Sequence, residues 1–313
     1  ENPHSLTIYY QQLLPPSFLS LSIAMTTILL PALIVLDTAR SCVAFAVIQA
    51  GVYLPPAQIN FWAELLKFSC AILFHYRWYQ NQKETKGASV SQWLSSLLPR
   101  RNPEEPIDWR TCTATAVPAG LYLLNNILYL TGLRFCDPAS LNAALQLKLP
   151  LTAVLHLLVF RRRRCSLAWL SLAVLSFGVL SLHVKWEKVG DIFSPTITTA
   201  GSEDATPAVK WTWTEFAGPM LGLTMAIISS VTAIVSEVLM KTPLPFWSVQ
   251  IWLYGWGALF AGCMSFVGID DPEKIAANVN APIPYEFGYL IVIVSIAIVG
   301  IVVANILRKA DNL

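Results

Sequence analysis

Residues 141–164 read LNAALQLKLPLTAVLHLLVFRRRR. An apolar run long enough to cross a bilayer carries Gln146 and Lys148 within it, then Pro150, then four consecutive arginines where the apolar character stops. A lysine at bilayer depth costs roughly 3 kcal/mol on insertion scales unless it faces a cavity or a partner. Arginines at the end of a span mark the cytoplasmic side. The stretch is therefore read as a membrane helix with a polar interior face.

Composition agrees. The 313 residues are 55% hydrophobic and 13% charged, with a mean hydropathy of +0.55, whereas soluble domains are about 25% charged. The fold class expected is an all-α integral membrane protein. A formal net charge of +2 gives no reason to invoke nucleic acid. Arg161 to Arg164 sit between two apolar spans, where topology and lipid headgroups account for them. The six cysteines are scattered without a CxxC pair and read as small packing residues. Histidines 4, 75, 156 and 183 are far apart and form no HExxH or HxxxD pair, so no enzyme, metal or cofactor is called for.

A hydrocarbon core of about 30 Å needs about 20 apolar residues per helix. Eight spans satisfy this: 18–38, 57–78, 111–133, 138–160, 166–186, 214–240, 247–268 and 287–307. The first is the least sharply bounded, because Pro31 and Asp37 interrupt it and apolar character resumes from Ser41 to Leu54. Residues 1–17 form an N-terminal tail, 18–186 a first set of five spans, and 214–313 a further three. Segments 79–110 and 187–213 are polar and read as loops without a core of their own. Thirteen lysines and arginines fall in the tail-side set of loops and six in the other. The N-terminus, loop 79–110 and the C-terminus are thus expected in the cytosol, and 187–213 opposite.

Inside the spans stand Glu64, Lys67, Asn125, Asn126, Asn142, Gln146, Lys148, His156 and Glu237. Glu64 and Lys67 lie one turn apart and can neutralise each other, either as a structural pair or beside a ligand. The adjacent Asn125 and Asn126 point about 100° apart on a helix, so at least one should line a cavity or bond across helices. Pro150 removes a backbone bond and frees the carbonyl of Gln146. Asn142, Gln146 and Lys148 would then form a bent polar patch of the kind discontinuous transporter helices use for substrate. The alternative is that Lys148 pairs with Glu237.

Several blocks resemble the nucleotide-sugar transporter family. ALQLKLPLTAVLHLLVFRRR is similar to the family's YQxTYQLKIxxTALxxxxxLxR, WAELLKF (62–68) to TEVIKL, and LYLLNNILYLTGLRFCDPAS (121–140) to its QNN…LDAA block. LAWLSLAVLSFGVLSL (167–182) matches its fifth helix. SEVLMK (236–241), SVQIWLYG (248–255) and VVANILRKADN (302–312) resemble FEKVLK, NIQMYLxG and SVVVKYTDN. The resemblance implies a ten-helix fold of two inverted five-helix halves that exchanges a nucleotide sugar for a nucleoside monophosphate across the Golgi or endoplasmic reticulum membrane, with homo-oligomers left open. It puts Lys148 on the substrate's phosphate and Asn126 near the base, with Arg77, Ser229 and Gln250 at further polar positions.

Three departures stand against this. The family's tyrosines before QLK are Leu141 and Leu145 here, and the lysine of FEK is Val238. The chain ends RKADNL, where members continue into a ninth helix, so eight of ten helices are expected and the second half is incomplete. A non-transporting scaffold that kept the fold, or an exporter of another small metabolite, is the alternative.

Overall fold

Two of the breaks between these helices fall one turn before a proline, Pro118 and Pro150. A computed structural model describes residues 16–81, 89–97, 109–161, 165–183, 213–240, 246–281 and 284–310. The tail before residue 16, residues 184–212 and Arg162 to Arg164 lie outside the described residues. Every regular element described is helical. In chain order they are α1 (Pro16–Gln49), α2 (Pro56–Asn81), α3 (Val90–Leu97), α4 (Trp109–Ala114), α5 (Ala116–Gly132) and α6 (Pro138–Leu145). Then follow α7 (Lys148–Phe160), α8 (Ser166–His183), α9 (Trp213–Met240), α10 (Phe246–Phe266), α11 (Pro272–Ala277), a 3₁₀ turn at Asn278–Asn280, and α12 (Tyr285–Ala310).

The eight expected spans correspond to α1, α2, α4 with α5, α6 with α7, α8, α9, α10 and α12. The third span breaks at Thr115, because Pro118 has no N–H for the carbonyl of Ala114. The carbonyl of Cys112 there accepts from Thr115 Oγ1 at 2.6 Å and from the indole of Trp256 at 3.0 Å. The fourth span breaks at Gln146–Leu147 for the same reason. The carbonyl freed by Pro150 is taken one residue early, by Leu149 N–H at 3.0 Å. Against expectation, α1 runs unbroken through Pro31 and Asp37. Asp37 folds back onto Arg40 one turn on at 2.8 Å, so the charge does not end the helix.

Among the described residues four stretches are long and apolar enough to cross a membrane by themselves: Pro31–Gln49, Pro138–Val159, Gly218–Leu239 and Tyr285–Asn305, with Ser166–Leu182 a shorter one. The polar α2 and the aromatic-rich α10 are the helices packed most extensively on each other. Both bury a full face, including Glu64, Lys67 and His75 on α2 and Ser248 and Gln250 on α10. A helix that meets protein on most sides need not be apolar all round. By contrast α8 exposes Leu167, Leu170, Val174 and Phe177, as lipid-facing surface does. The chain is a multi-pass membrane protein.

The packing has an internal order. α2 packs on α10, α5 on α9, α1 on α12, α5 on α10 and α2 on α12. Exchanging each span with the one five places later turns the second pair into the third and the fourth into the fifth, and returns the first to itself.

Two polar clusters tie the ends of this bundle. At one end Tyr53, in the α1–α2 connection, exchanges bonds with Asn278: its N–H donates to Asn278 Oδ1 at 2.7 Å and its carbonyl accepts from Nδ2 at 2.9 Å. Tyr289 donates to the same carbonyl at 2.9 Å. Arg134 Nη2 donates to the Leu54 carbonyl at 2.6 Å and its guanidinium lies over the Tyr53 ring at 4.3 Å. Outside the spans, a hydrogen bond from Lys274 holds the Asp271 carboxyl below its ordinary pKa. At the other end, part of the segment expected to be a bare loop is helix α3. Its Trp93 is buried and donates its indole N–H to His75 Nδ1 at 2.8 Å. An indole can only donate, so the ring proton of His75 sits on Nε2, facing Ser248 Oγ of α10 at 3.1 Å. An aromatic residue needing a partner thus ordered a stretch whose composition is otherwise that of a loop.

Candidate functional site

Between these ends lies a cavity of about 210 Å³. Its wall comes from α1, α2, α5, α9, α10 and α12, and from the halves of α5, α10 and α12 nearest His75. The Tyr53 end, where Arg134 and Tyr289 converge, lies beyond its floor.

Helix periodicity places Glu64 and Lys67 on one face of α2, where they form a buried ion pair. Lys67 also lies over the ring of Tyr254 at 5.0 Å. Two glycines make room for the pair. A Cβ at Gly257 of α10 would stand 3.1 Å from Glu64 Oε2, and one at Gly300 of α12 would stand 2.8 Å from Lys67 Cδ. A desolvated ion pair needs its remaining hydrogen-bonding capacity met, and the carboxylate and ammonium both border the cavity, where a ligand or water can reach them. Arg40, Asn126 and the buried Gln250 add polar groups to the same wall. Tyr122 and Ser236 close it across α5 and α9, with their hydroxyls 3.4 Å apart.

The sequence-derived candidates separate into two groups. Glu64, Lys67, Asn126 and Gln250 meet in the cavity. Asn125 turns away, as adjacency on a helix requires, and accepts from Ser229 Oγ at 3.3 Å, joining α5 to α9. Asn142 does not form a patch with Gln146 and Lys148. It is bound to Tyr129 and Ser41, each at 3.4 Å. Gln146, Lys148 and Arg77 are exposed and lie off the cavity wall. The carbonyl of Lys148 accepts from Ser230 Oγ at 3.0 Å. Glu237 meets His156 Nε2 at 3.0 Å on the neighbouring α7, which corrects the expectation that it faces Lys148. The two leucines at the family's tyrosine positions also point elsewhere: Leu141 is buried in the core and Leu145 packs against it.

Arg40, Tyr122, Ser236 and Tyr254 are cavity residues that the sequence reading did not single out. Three of them lie inside the quoted blocks LYLLNN, SEVLMK and SVQIWLYG, so the blocks marked the right helix faces. Arg40 gave no signal, because the first span was ended at residue 38 and the arginine was counted with the loops.

Comparison with known proteins agrees with the fold and with the blocks. A family model for nucleotide-sugar transporters matches residues 21–313. The chain is 28% identical over 206 residues to the CMP-sialic acid transporter 1 of Oryza sativa, covering 65% of this chain and 53% of that protein. It is 29% identical over 256 residues to the UDP-N-acetylglucosamine transporter of Homo sapiens, covering 80% and 69%. It is 28% identical over 256 residues to the protein of that name from Bos taurus. The chain thus spans about half to two thirds of the length of these relatives. With the match running through nearly the whole chain, and the described helices packed around an intramembrane cavity that holds charged and amide side chains in its wall, the protein belongs to the nucleotide-sugar transporter family.

Proposed function

We propose that this protein carries a nucleotide sugar across the Golgi membrane in exchange for a nucleoside monophosphate, through the cavity between α1, α2, α5, α9, α10 and α12. The observation that supports this most is the lining. Among the lining side chains Arg40 and Lys67 outnumber Glu64 by one positive charge, and the acid that meets Arg40, Asp37, stands half-exposed outside the lining, which favours an anionic ligand. Asn126 and Gln250 each offer donors and acceptors of the kind that match a base edge. Tyr122 and Tyr254 add aromatic faces. Lys148 is assigned no part in this cavity.

The exchange cycle is read from the two bundle ends. We take residues 18–186 and 214–313 as the two inverted halves, because the helix pairs interchange when each span is replaced by the one five places on. The distribution of lysine and arginine puts the Trp93 end and the N-terminus in the cytosol. The cavity lies in that half of the bundle and the Tyr53 cluster is closed beyond its floor, so the conformation would be one loaded from the cytosol.

Reconstitution tests this. Full-length chain in liposomes preloaded with UMP or CMP is expected to take up labelled UDP- or CMP-linked sugar, and to do so faster than liposomes lacking internal monophosphate. Purified protein that neither binds nor exchanges any of these would sink the reading in favour of a scaffold. Uptake independent of internal nucleotide would favour an exporter of another metabolite.

A further inference from the structure

Arg40 is held in an unusual way. Its guanidinium meets Asp37, yet the Asp37 side chain is 47% exposed and that of Arg40 only 16%. Its Nε is buried and has no hydrogen-bond partner. That donor is closed off from water, so a ligand in the cavity meets Arg40 through the other N–H groups of its guanidinium. The guanidinium lies over the ring of Tyr129 at 4.9 Å. That ring is fixed at its far end, where the hydroxyl donates to Ser41 Oγ at 2.5 Å and has Asn142 Oδ1 3.4 Å away. The arrangement holds a planar cation against an aromatic shelf, a geometry suited to arginine and not to lysine.

The other cations do not compete for the role. Lys67 is held by Glu64 with both groups buried, whereas the acid that meets Arg40 is half-exposed and screened by water; Lys148 stands off the cavity wall. Arg40 and Asn126 also border a small void of about 10 Å³ that continues from the cavity floor toward the core. A void of that size holds about one water and no ligand group, so a larger anion would have to meet Arg40 from the main cavity.

We propose that Arg40 reads the anionic group of the ligand. Its unused N–H donors take phosphate oxygens at the cavity floor, while Tyr129, Ser41 and Asn142 position the guanidinium. The inference rests on the reading of this cavity as a nucleotide-sugar site and names the residue that recognises the phosphate there.

The test is binding to the purified full-length chain in nanodiscs, with UMP, CMP, uridine, cytidine and inorganic pyrophosphate as probes, and unliganded melting temperature as a control. Arg40→Gln is expected to weaken monophosphate binding about tenfold or more, the range for a hydrogen bond to a charged group. Nucleoside binding should move less than about twofold. Arg40→Lys, which keeps the charge without the planar fork, should fall between. Asp37→Asn should leave monophosphate affinity unchanged or tighter. Unchanged monophosphate affinity in Arg40→Gln, with melting lowered equally in Arg40→Gln and Asp37→Asn, would make the arginine half of a structural pair and overturn the proposal. If Arg40→Gln does not fold, Arg40→Lys carries the test, and wild-type affinity there overturns it. Wild-type protein that binds pyrophosphate but no nucleotide, with the former lost in Arg40→Gln, would keep the anion role and reject the nucleotide reading. Wild-type protein that binds none of the probes rejects both.

Discussion

Asp270 caps the first turn of α2 from 213 residues away in the chain: its Oδ1 accepts from Ala57 N–H at 3.0 Å and its Oδ2 from Gln58 N–H at 2.9 Å. The aspartate is 5% exposed, so water does not substitute for it easily. With Pro56 opening α2, the first N–H groups after the proline are the ones that need an acceptor. The carboxylate also faces the positive end of the α2 dipole.

Asp270→Ala should therefore cost about 1–2 kcal/mol, the usual range for a lost helix cap. Asp270→Asn, keeping one acceptor, should cost less. Thermal unfolding in detergent checks this, and an unchanged midpoint for the alanine variant would show that the cap contributes nothing.

Trp93 fastens α3 to α2 through one indole N–H. Trp93→Phe keeps a ring of similar character and leaves His75 Nδ1 buried without its donor, a loss of about 1–3 kcal/mol for an unsatisfied buried group. Protease added outside sealed vesicles should cut the 82–108 segment faster in this variant than in wild type. Cutting only after detergent is added would place that segment inside the vesicles and reverse the orientation proposed above.

Glu64 and Lys67 should behave as a unit. Removing one partner of a buried pair leaves an uncompensated charge and costs about 3–5 kcal/mol, whereas removing both is often near neutral. Glu64→Gln and Lys67→Met should each lower the unfolding midpoint strongly, and the double variant should recover most of the loss. Additive losses in the double-mutant cycle would mean the two groups answer to other partners.

Two glycines of similar sequence context should respond oppositely. A Cβ on Gly222 of α9 would fall well inside van der Waals contact of Ala144 Cβ on α6, whereas one on Gly178 of α8 would meet nothing within 4 Å. Close approach of membrane helices depends on such small residues. Gly222→Ala should destabilise by about 1–3 kcal/mol, as overpacking does. Gly178→Ala should be neutral or stabilise by up to about 1 kcal/mol through helix propensity. Equal effects at both positions would show that α9 and α6 are not in tight contact.

The helices were legible in the sequence because bilayer thickness imposes a length and an apolar composition on any span. Their breaks were legible at Pro150, because a missing N–H is a local fact that needs no knowledge of neighbours. The same rule failed at Pro31, where the helix continues. The pairing of Glu64 with Lys67 was legible too, since both lie one turn apart on a single helix. What the sequence left open was which side of each helix meets which other helix. Asn142 and Lys148 share a span and looked like one patch. Yet Asn142 is turned to Tyr129 and Ser41 on other helices, and Lys148 lies beyond the break at Gln146–Leu147 on the outer side. Arg40, Tyr122 and Tyr254 come together only because α1, α5 and α10 pack around one chamber. The bilayer acts on each segment separately, so its demands are written along the chain. The rotation of each helix about its axis is set by contacts between residues hundreds of positions apart, and that was decided only in the tertiary structure.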